Sequence, residues 1–317
     1  MNKQLFCLFA LLCCTTTIYA DTYGVGIFND GTGVAVGLID YTSPGFSATT
    51  QLYLPNLNYI GNSSLSSPNT QVSSYNYATK QLTFLAYQPN NSTSPVIVTV
   101  DCNKWKVVSN VAAPVSYLAG FAYDQSNSFG QNMFTTFKKA EDGYLYVAKI
   151  NPVNLQISNY DAFQGFYLTS ATDDRGNYFL VYFNNFGYYI RIYNSAGQFA
   201  MQKTLTFGNA PSNMQSGPIN MAYSTKDSNF MATFMLKNDD GSLSSTLAWM
   251  DWSTGTFNFT SILSNHGFTA TANVADPNQN LVYIFGSNPS TSFMLTFDTS
   301  SNDLMAIGGY TQILAAF

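Results

Sequence analysis

The chain has 317 residues, of which 9% are charged, 16% are aromatic and 46% are hydrophobic, and its formal net charge is −5. Charge this sparse and acidic offers no basic surface for a phosphate backbone, which argues against nucleic acid as a partner. Apolar residues are spread along the whole chain, which argues against disorder and predicts a fold with a sizeable core.

The first twenty residues predict a secretory signal peptide. Lys3 precedes an uncharged and largely apolar run from Leu5 to Cys14, and a short polar stretch ends at Ala20. The run is shorter than the ~18–20 residues of a bilayer span, which disfavours the alternative of an uncleaved anchor. We therefore expect a signal peptide over residues 1–20, one domain over residues 21–317, no membrane span, and a secreted, extracellular protein.

Cleavage after Ala20 would leave Cys102 as the last cysteine. No disulfide could then form within the chain, although a disulfide to a partner chain stays open. Because Cys102 follows Asp101 at the end of an apolar run, we expect its thiol to be partly buried and unreactive.

One apolar strand pattern recurs six times, and each copy ends in Asp or Asn. The terminal residues are separated by 61, 50, 43, 57 and 47 residues, which indicates a repeat architecture. The copies are VAVGLIDY (34–41), PVIVTVDC (95–102), YLYVAKIN (144–151), YYIRIYNS (188–195), TLAWMDWS (246–253) and FMLTFDTS (293–300).

Further strand candidates flank each copy. Upstream of the five later copies lie two runs that alternate apolar with polar residues and are broken by turn residues, which predicts a hairpin. Downstream lies one more run, such as WKVVSNVA (105–112). Each repeat thus predicts four antiparallel strands, named A to D in chain order. Four-stranded units that repeat every ~40–50 residues are typical of a β-propeller.

The first repeat lacks an A strand, and a matching segment lies at the other end of the chain. TYGVGIFN (22–29) reads as a B strand, and TQILAAF (311–317) is similar to A strands such as TATANVA (269–275). Pairing of the two would leave no open seam. The sequence therefore predicts an all-β fold, a six-bladed β-propeller of four-stranded antiparallel blades, closed by the C-terminal strand on the N-terminal blade. Two β-sandwich domains are the competing architecture.

This order of hairpin, apolar strand ending in Asp, short turn and further strand resembles the repeats of YVTN and NHL-like propellers. The resemblance covers the chain after residue 20 and consists of a pattern of strands and turns. It implies that the B–C and D–A connections share one face, here called the loop face, where propellers usually bind ligands. The A–B and C–D turns share the opposite face, here called the turn face.

The Asp or Asn that ends each C strand has a structural explanation. A short Asx side chain at this position accepts hydrogen bonds from the backbone of the following turn. The segment TDDRGN (172–177) likewise favours a hairpin turn over a calcium loop, because it lacks the alternate-residue spacing of calcium ligands.

Few residues suit catalysis. His266 is the single histidine, which leaves no support for a nucleophile paired with histidine or for a zinc site. Sialidase-like propellers use three arginines, whereas this chain has Arg175 and Arg191. Lactonase-like propellers hold calcium with Glu, Asp and Asn, whereas Glu141 is the single glutamate. We predict no cofactor, and calcium held by aspartates and carbonyl oxygens stays open.

Candidate ligand-binding residues lie on the predicted loop face. The B–C turns KKAEDG (138–143) and LKNDDG (236–241) place carboxylates there, and SNHGF (264–268) lies in a D–A loop. Solvated charge in ordinary turns explains these residues equally well. The candidates are Glu141, Asp142, Asp239, Asp240 and His266.

Four sequons predict N-glycosylation, at Asn62, Asn90, Asn91 and Asn258. The first three lie on the loop face of the first two blades, which leaves blades three to five uncovered. Asn258 lies in a D strand, where a glycan would block edge-to-edge pairing.

We therefore predict a secreted binding propeller that recognises an extracellular protein or glycan through its loop face. The alternative is a hydrolase or lyase centred on the channel, lactonase-like and calcium-dependent. Binding is favoured over catalysis. A lectin with a stacking Trp or Tyr at one fixed position of most repeats is disfavoured, and the oligomeric state is open.

Overall fold

The computed structural model describes residues 23–29, 33–40, 47–60, 71–88, 91–114, 117–126, 133–139, 142–260, 269–276, 279–287, 292–301, 303–309 and 313–317. Within these ranges the fold is all-β and contains no helix, so none of the described residues forms a helix long and apolar enough to cross a membrane. Predictions for Glu141, His266, Asn62, Asn90 and the segment 1–20 lie outside the described residues.

The strands of the described part of the chain are β1 (Tyr23–Asn29), β2 (Val34–Asp40), β3 (Ser47–Leu54), β4 (Asn58–Tyr59), β5 (Ser73–Asn76), β6 (Gln81–Gln88), β7 (Asn91–Asp101), β8 (Lys106–Ala112), β9 (Tyr117–Tyr123), β10 (Met133–Lys138), β11 (Leu145–Ile150), β12 (Ile157–Phe163), β13 (Phe166–Thr172), β14 (Tyr178–Asn184), β15 (Gly187–Tyr193), β16 (Phe199–Gly208), β17 (Asn220–Ser224), β18 (Asn229–Lys237), β19 (Leu243–Asp251), β20 (Thr256–Thr260), β21 (Thr269–Ala275), β22 (Leu281–Ser287), β23 (Ser292–Asp298), β24 (Asp303–Gly309) and β25 (Ile313–Ala316).

Burial is high in the second strands of the units and low in several of the fourth strands. The second strands β6, β18 and β22 are buried on both faces along most of their length. Such strands read as continuous apolar runs because a sheet covers each of their faces. The fourth strands β3 and β16 are exposed at many positions. The sheets are therefore arranged like the blades of a propeller, with the A strands innermost.

The sheets differ from the predicted six separate blades. Four sheets stand apart, with the orders β25-β1-β2-β3, β4-β6-β7-β8, β12-β11-β10-β9 and β21-β22-β23-β24, and β5 also pairs with β6. The remaining eight strands form one sheet, β13-β14-β15-β16-β20-β19-β18-β17. The prediction of six separate four-stranded sheets is wrong, because two of the predicted units share one sheet.

The merger has a local cause in the length of β16. This strand runs for ten residues, so that Thr206–Gly208 extend beyond its partner β15 and pair in parallel with Thr256–Asn258 of β20. The hydroxyl oxygens of Thr206 and Thr256 lie 2.7 Å apart. Two antiparallel four-stranded units, β13–β16 and β17–β20, thus share one outer edge.

Side-chain hydrogen bonds connect neighbouring innermost strands. The Tyr123 amide donates to Ser74 Oγ at 2.8 Å, and Thr172 Oγ1 donates to the Tyr123 carbonyl at 2.8 Å. Farther along the chain, Thr271 Oγ1 donates to the Ile313 carbonyl at 2.9 Å. The strands β5, β9, β13, β17, β21 and β25 contact one another in this order. Backbone groups at the inner edges are thereby satisfied without a further strand.

The last described strand lies in the same sheet as the first. β25 pairs antiparallel with β1, with Gly26 opposite Ala316. Val25 and Phe317 exchange two backbone hydrogen bonds, of 3.1 and 2.9 Å.

Hydrophobic clusters fill the space between consecutive four-stranded units. Among the described residues, each of five clusters combines buried side chains from two units that follow one another in the chain. The sixth joins the two ends of the chain, because it contains Phe28 and Ile39 from the first unit together with Val274 and Phe285 from the last and Ile313 from β25.

Substitution of Gly120 tests the close approach of β9 to β13. A Cβ atom at Gly120 would lie 2.5 Å from the Tyr167 hydroxyl and 2.8 Å from Ser170 Oγ. Tyr167 is buried, so we expect Gly120→Ala to lower the free energy of unfolding by about 2 kcal/mol. Chemical denaturation measures this value. The double variant Gly120→Ala/Tyr167→Leu should lose less free energy of unfolding than the sum of the losses in the two single variants. A loss equal to that sum would show that the strands do not approach this closely.

Candidate functional site

The predicted carboxylates of the loop face lie in separate units and bond within their own turns. Asp142 accepts a hydrogen bond from the Tyr146 hydroxyl and one from the Tyr144 amide at 2.9 Å, and these bonds lower the pKa of its carboxyl. Asp240 accepts bonds from the hydroxyl and the amide of Ser242, at 2.6 and 2.9 Å, which lower its pKa. The unit β13–β16 lies between the two turns in chain order, and Asp239 is exposed. Their role in binding stays a prediction.

Exposed aromatic side chains gather on the loop face of the third and fourth units. We call Tyr144, Phe166, Phe183 and Phe186 the aromatic patch. Their exposed fractions are 36%, 56%, 37% and 88%. The rings of Phe166 and Phe183 stack at 5.0 Å and 21°. The patch presents apolar surface where the turns of a soluble domain are ordinarily polar, a feature of interaction sites.

Polar groups border the aromatic patch. Lys138 Nζ lies 5.6 Å above the centre of the Phe166 ring, within the range of a cation–π contact. Gln164 Nε2 donates to the Tyr144 hydroxyl at 3.4 Å. Asp142 is two residues from Tyr144 and bonds its amide, so this predicted residue adjoins the patch. The patch thus has an apolar centre with lysine, amide and carboxylate groups around it.

The aromatic patch was not predictable from residue type. Phe and Tyr together account for 47 residues, and most of the largest buried side chains are of these types, so residue type does not separate surface from core. Only the segment FNNFGYY (183–189) indicates an exposed aromatic residue. It places Phe186 in the middle of a two-strand turn, where no neighbouring sheet can cover it.

Glycosylation at the predicted sequons stays a prediction. Asn91 begins β7, and its side chain lies outside the described residues. Asn258 is exposed on β20. The outer edge of β20 pairs with β16, so a glycan on Asn258 is not what prevents edge-to-edge pairing there.

A central cavity of about 530 Å³ lies where the inner strands meet. Small side chains of these strands, including Ser74, Ala122, Ala171 and Ala222, leave the space open. Tyr77, Gln125, Asp174 and Thr225 from the A–B turns line its end at the turn face.

Gln71 crosses the other end of the central cavity. Its amide donates to the Ala119 carbonyl at 3.1 Å, and its side-chain oxygen accepts from Thr169 Oγ1 at 2.8 Å. Its side-chain nitrogen donates to the Met221 carbonyl at 3.4 Å. A single residue before β5 therefore contacts β9, β13 and β17. Because Gln71 crosses the end near the loop face, the open end of the cavity lies at the turn face.

Buried polar side chains end the inner strands. Asn76, Asp124, Asp173, Ser224 and Asp276 follow one another at intervals of 48, 49, 51 and 52 residues, more regularly than the C-strand residues. Their exposed fractions lie between 0% and 8%. Asp173 shows their common role, because its Oδ1 accepts the amides of Arg175 and Asn177 at 3.0 and 2.8 Å. This series was not among the residues predicted from the sequence, although its regular spacing is visible there.

TDDRGN forms a hairpin turn between β13 and β14, as predicted. The C-strand residues also cap their turns: the backbone amides of Asn103, Val153, Gln198, Ser253 and Ser300 donate to Asp101, Asn151, Asn194, Asp251 and Asp298, respectively, at 2.8 to 3.0 Å. The turn after Asp40 lies outside the described residues.

Cys102 is buried, with 7% of its surface exposed. Desolvation raises the pKa of its thiol to about 12, so little thiolate is present at neutral pH. Among the described residues, no group of three or more His, Cys, Asp or Glu side chains has a geometry that could hold a metal ion.

Comparison with known proteins supports the fold. No protein-family model matches the sequence, and no curated protein matches it, so the resemblance to YVTN and NHL-like repeats is not confirmed. The chain is similar to a solved structure of a nidogen/laminin complex, with a TM-score of 0.61 and 13% identity over 93% of this chain and 97% of that chain. It is similar to TolB from Acinetobacter baumannii, with a TM-score of 0.59 and 13% identity over 97% of this chain and 70% of that chain.

A protein from Lactobacillus plantarum is a third similar structure, with a TM-score of 0.51 and 14% identity over 92% of this chain and 82% of that chain. The neighbours include β-propeller proteins. At identities this low, the similarity shows the propeller-like fold alone.

Lys149 provides a test of the polar contacts around Asp124 in the third unit. Its Nζ lies 3.2 Å from Asp124 Oδ2 and also bonds the Ser195 carbonyl of the fourth unit. The exposed fractions of the Lys149 and Asp124 side chains are 11% and 3%. Lys149→Met leaves Asp124 without its cation, so we expect a loss of about 3 kcal/mol in the free energy of unfolding. Lys104→Met removes an exposed ion pair with Asp101 and should change stability by less than about 0.5 kcal/mol. Equal losses of free energy of unfolding in Lys149→Met and Lys104→Met would show that the Lys149–Asp124 pair is as exposed to solvent as the Lys104–Asp101 pair.

Proposed function

We propose that the chain is a six-bladed propeller closed by β25 on β1. Two observations support this count. The eight-stranded sheet divides into two antiparallel four-stranded units joined by one parallel pairing of three residues. The six hydrophobic clusters join each unit to the next, including the last to the first.

We further propose that this propeller binds an extracellular protein through the aromatic patch. The observation that carries this proposal is the exposure of four aromatic side chains on one face, up to 88% at Phe186. Leaving such surface in water is unfavourable by about 25 cal/mol for each Å² of apolar area that a partner could cover. Aromatic residues with a polar border have the composition of interface centres.

A protein partner suits the patch better than a glycan. Three of its four members are phenylalanine, which has no hydroxyl group to bond with sugar hydroxyls. Lys138 adds a cation beside Phe166, which suits an acidic group on the partner. At the level of fold, the nidogen propeller was solved in a complex with laminin, an assembly of two proteins.

The remaining sequence predictions agree with this site. A signal peptide over residues 1–20 would deliver the protein to the extracellular space. Glycans at Asn62, Asn90 and Asn91 would cover the first two units and leave the patch of the third and fourth uncovered. In the central cavity, Asp173 already accepts bonds from its own turn, which favours a structural role over acid–base catalysis.

Capture from the native extracellular medium tests the proposal. Immobilised wild-type protein should enrich a specific partner, and Phe186→Ser should reduce that enrichment at least tenfold, because the substitution removes the most exposed anchor. Met201→Ser, at an exposed position of β16 away from the loop turns, should retain it. Both variants should keep the wild-type Tm, since neither side chain is buried.

Equal enrichment by Phe186→Ser and wild-type protein would contradict this use of the patch. Binding to a glycan array that survives Phe186→Ser would replace it with the glycan alternative.

A further inference from the structure

A second pocket lies at the turn face, where the first, second and last units meet. We call this space of about 330 Å³ the side pocket. It adjoins the central cavity, and Tyr75, Tyr77, Val274 and Phe317 line both. It opens where β25 and β1 run side by side without a connecting turn, unlike β21 and β22 in the neighbouring unit. Its volume is that of a site for a small molecule.

Aromatic side chains form the walls of the side pocket. Tyr75 and Tyr283 are buried, and Trp105 is half-buried against the hydrophobic cluster between the first and second units. The Tyr75 and Tyr77 rings meet edge to face at 5.1 Å. Tyr23 and Tyr77 lie at the pocket with 54% and 43% of their surfaces exposed, so aromatic rings continue from the buried wall to the solvent.

Two residues of the pocket wall have a backbone conformation that favours glycine. Trp105 has φ 48° and Lys80 has φ 54°. The corresponding turn of the fifth unit has Gly255 with φ 73°, which meets the same requirement without strain. A bulky side chain in the left-handed region is uncommon, although Leu155, Asn209 and Ser228 have a left-handed φ outside this pocket. Trp105 therefore places an indole ring in the pocket wall at a position where a glycine would have less backbone strain.

The charge around the two connected spaces is mostly negative. Asp276 lines the side pocket, and Asp173 and Asp174 line the adjoining cavity. Lys80 is the one cationic side chain among their described lining residues. Asp276 has its oxygens near hydrogen-bond donors, with the Tyr283 hydroxyl at 3.3 Å and the Gln279 amide at 3.1 Å. A carboxylate within a low-dielectric aromatic pocket attracts a cation more strongly than one in water.

We propose that the side pocket binds a small organic cation, an amine carried on an apolar or aromatic body. The ring faces of Trp105 and the tyrosines attract an ammonium group through their quadrupoles. Asp276 adds a direct electrostatic attraction, while Val25, Leu38 and Val274 accommodate the carbon body. The site lies on the turn face, opposite the aromatic patch, and does not depend on a protein partner.

Titration calorimetry with three probes of matched shape tests the chemistry of the ligand. The probes are 2-phenylethylamine, 2-phenylethanol and 3-phenylpropionate, which share a phenyl ring and differ in charge. We expect 2-phenylethylamine to bind with one-to-one stoichiometry and at least tenfold more tightly than 2-phenylethanol, with 3-phenylpropionate the weakest. Affinity of the alcohol equal to that of the amine, or no saturable binding of the amine, would overturn the proposal.

Variants of the pocket wall locate the site. Trp105→Gly relieves the left-handed strain and removes the aromatic wall, so it should weaken amine binding at least tenfold. The matched control is Leu155→Gly, which relieves the same strain (φ 57°) in the third unit outside the pocket and should leave binding unchanged. Unchanged binding in Trp105→Gly would place the amine elsewhere and overturn the proposal.

Two further substitutions separate charge from packing. Lys80→Gln removes a like charge from the wall and should tighten amine binding two- to threefold without affecting 2-phenylethanol. Phe186→Ser, on the opposite face, should bind the amine as wild-type protein does, so failure of the protein-binding proposal and failure of this one are distinguishable. Weaker amine binding in Lys80→Gln would contradict the electrostatic argument.

Discussion

The structure depends on how the backbone N–H and C=O groups of the inner strands find hydrogen-bond partners where several sheets converge on one axis. A strand at the inner edge of a sheet has backbone groups that no further strand can bond, and unbonded buried groups are unfavourable by ~1–3 kcal/mol each. Here the neighbouring unit supplies the partner through a side chain, as Ser74 does for the Tyr123 amide and Thr271 for the Ile313 carbonyl. Each unit therefore stabilises the next, and the pairing of β25 with β1 includes both ends of the chain in the arrangement.

This constraint also explains where the two candidate sites lie. Strands that approach closely need small residues, as Gly120 shows beside Tyr167, and small side chains such as Ala122 line the central cavity. Gln71 crosses the central cavity near the loop face, so the accessible end of that cavity lies at the turn face. The side pocket lies at the turn face as well. The loop face carries the aromatic patch instead. One framework thus presents two chemically different surfaces: the exposed aromatic patch, which we propose binds a protein, and an acidic, aromatic pocket, which we propose binds a cation.

Much of the fold was readable from the sequence because strands of alternating or continuous apolar residues recur at intervals of 43 to 61 residues. The likeness of TQILAAF to the other A strands predicted the pairing of β25 with β1, whereas closure of the whole ring stays a proposal. The parallel pairing of β16 with β20 was not readable, since it depends on how far β16 extends past its partner and on the distance between two units. The patch was missed because Phe186 and a core phenylalanine such as Phe234 are the same residue type, and only their positions differ. The buried series ending in Asp276 was readable from its spacing, but its burial was not.

Hydrogen exchange at the junction of β25 and β1 tests most directly whether the chain forms one closed ring. The amides of Val25 and Phe317 each donate to the other residue's carbonyl, so peptides containing them should exchange as slowly as those from the central strand β22. Both should lose protection together, in the same cooperative opening. Rapid exchange of residues 313–317, at the rate of an unpaired chain end while β22 stays protected, would contradict the closed ring.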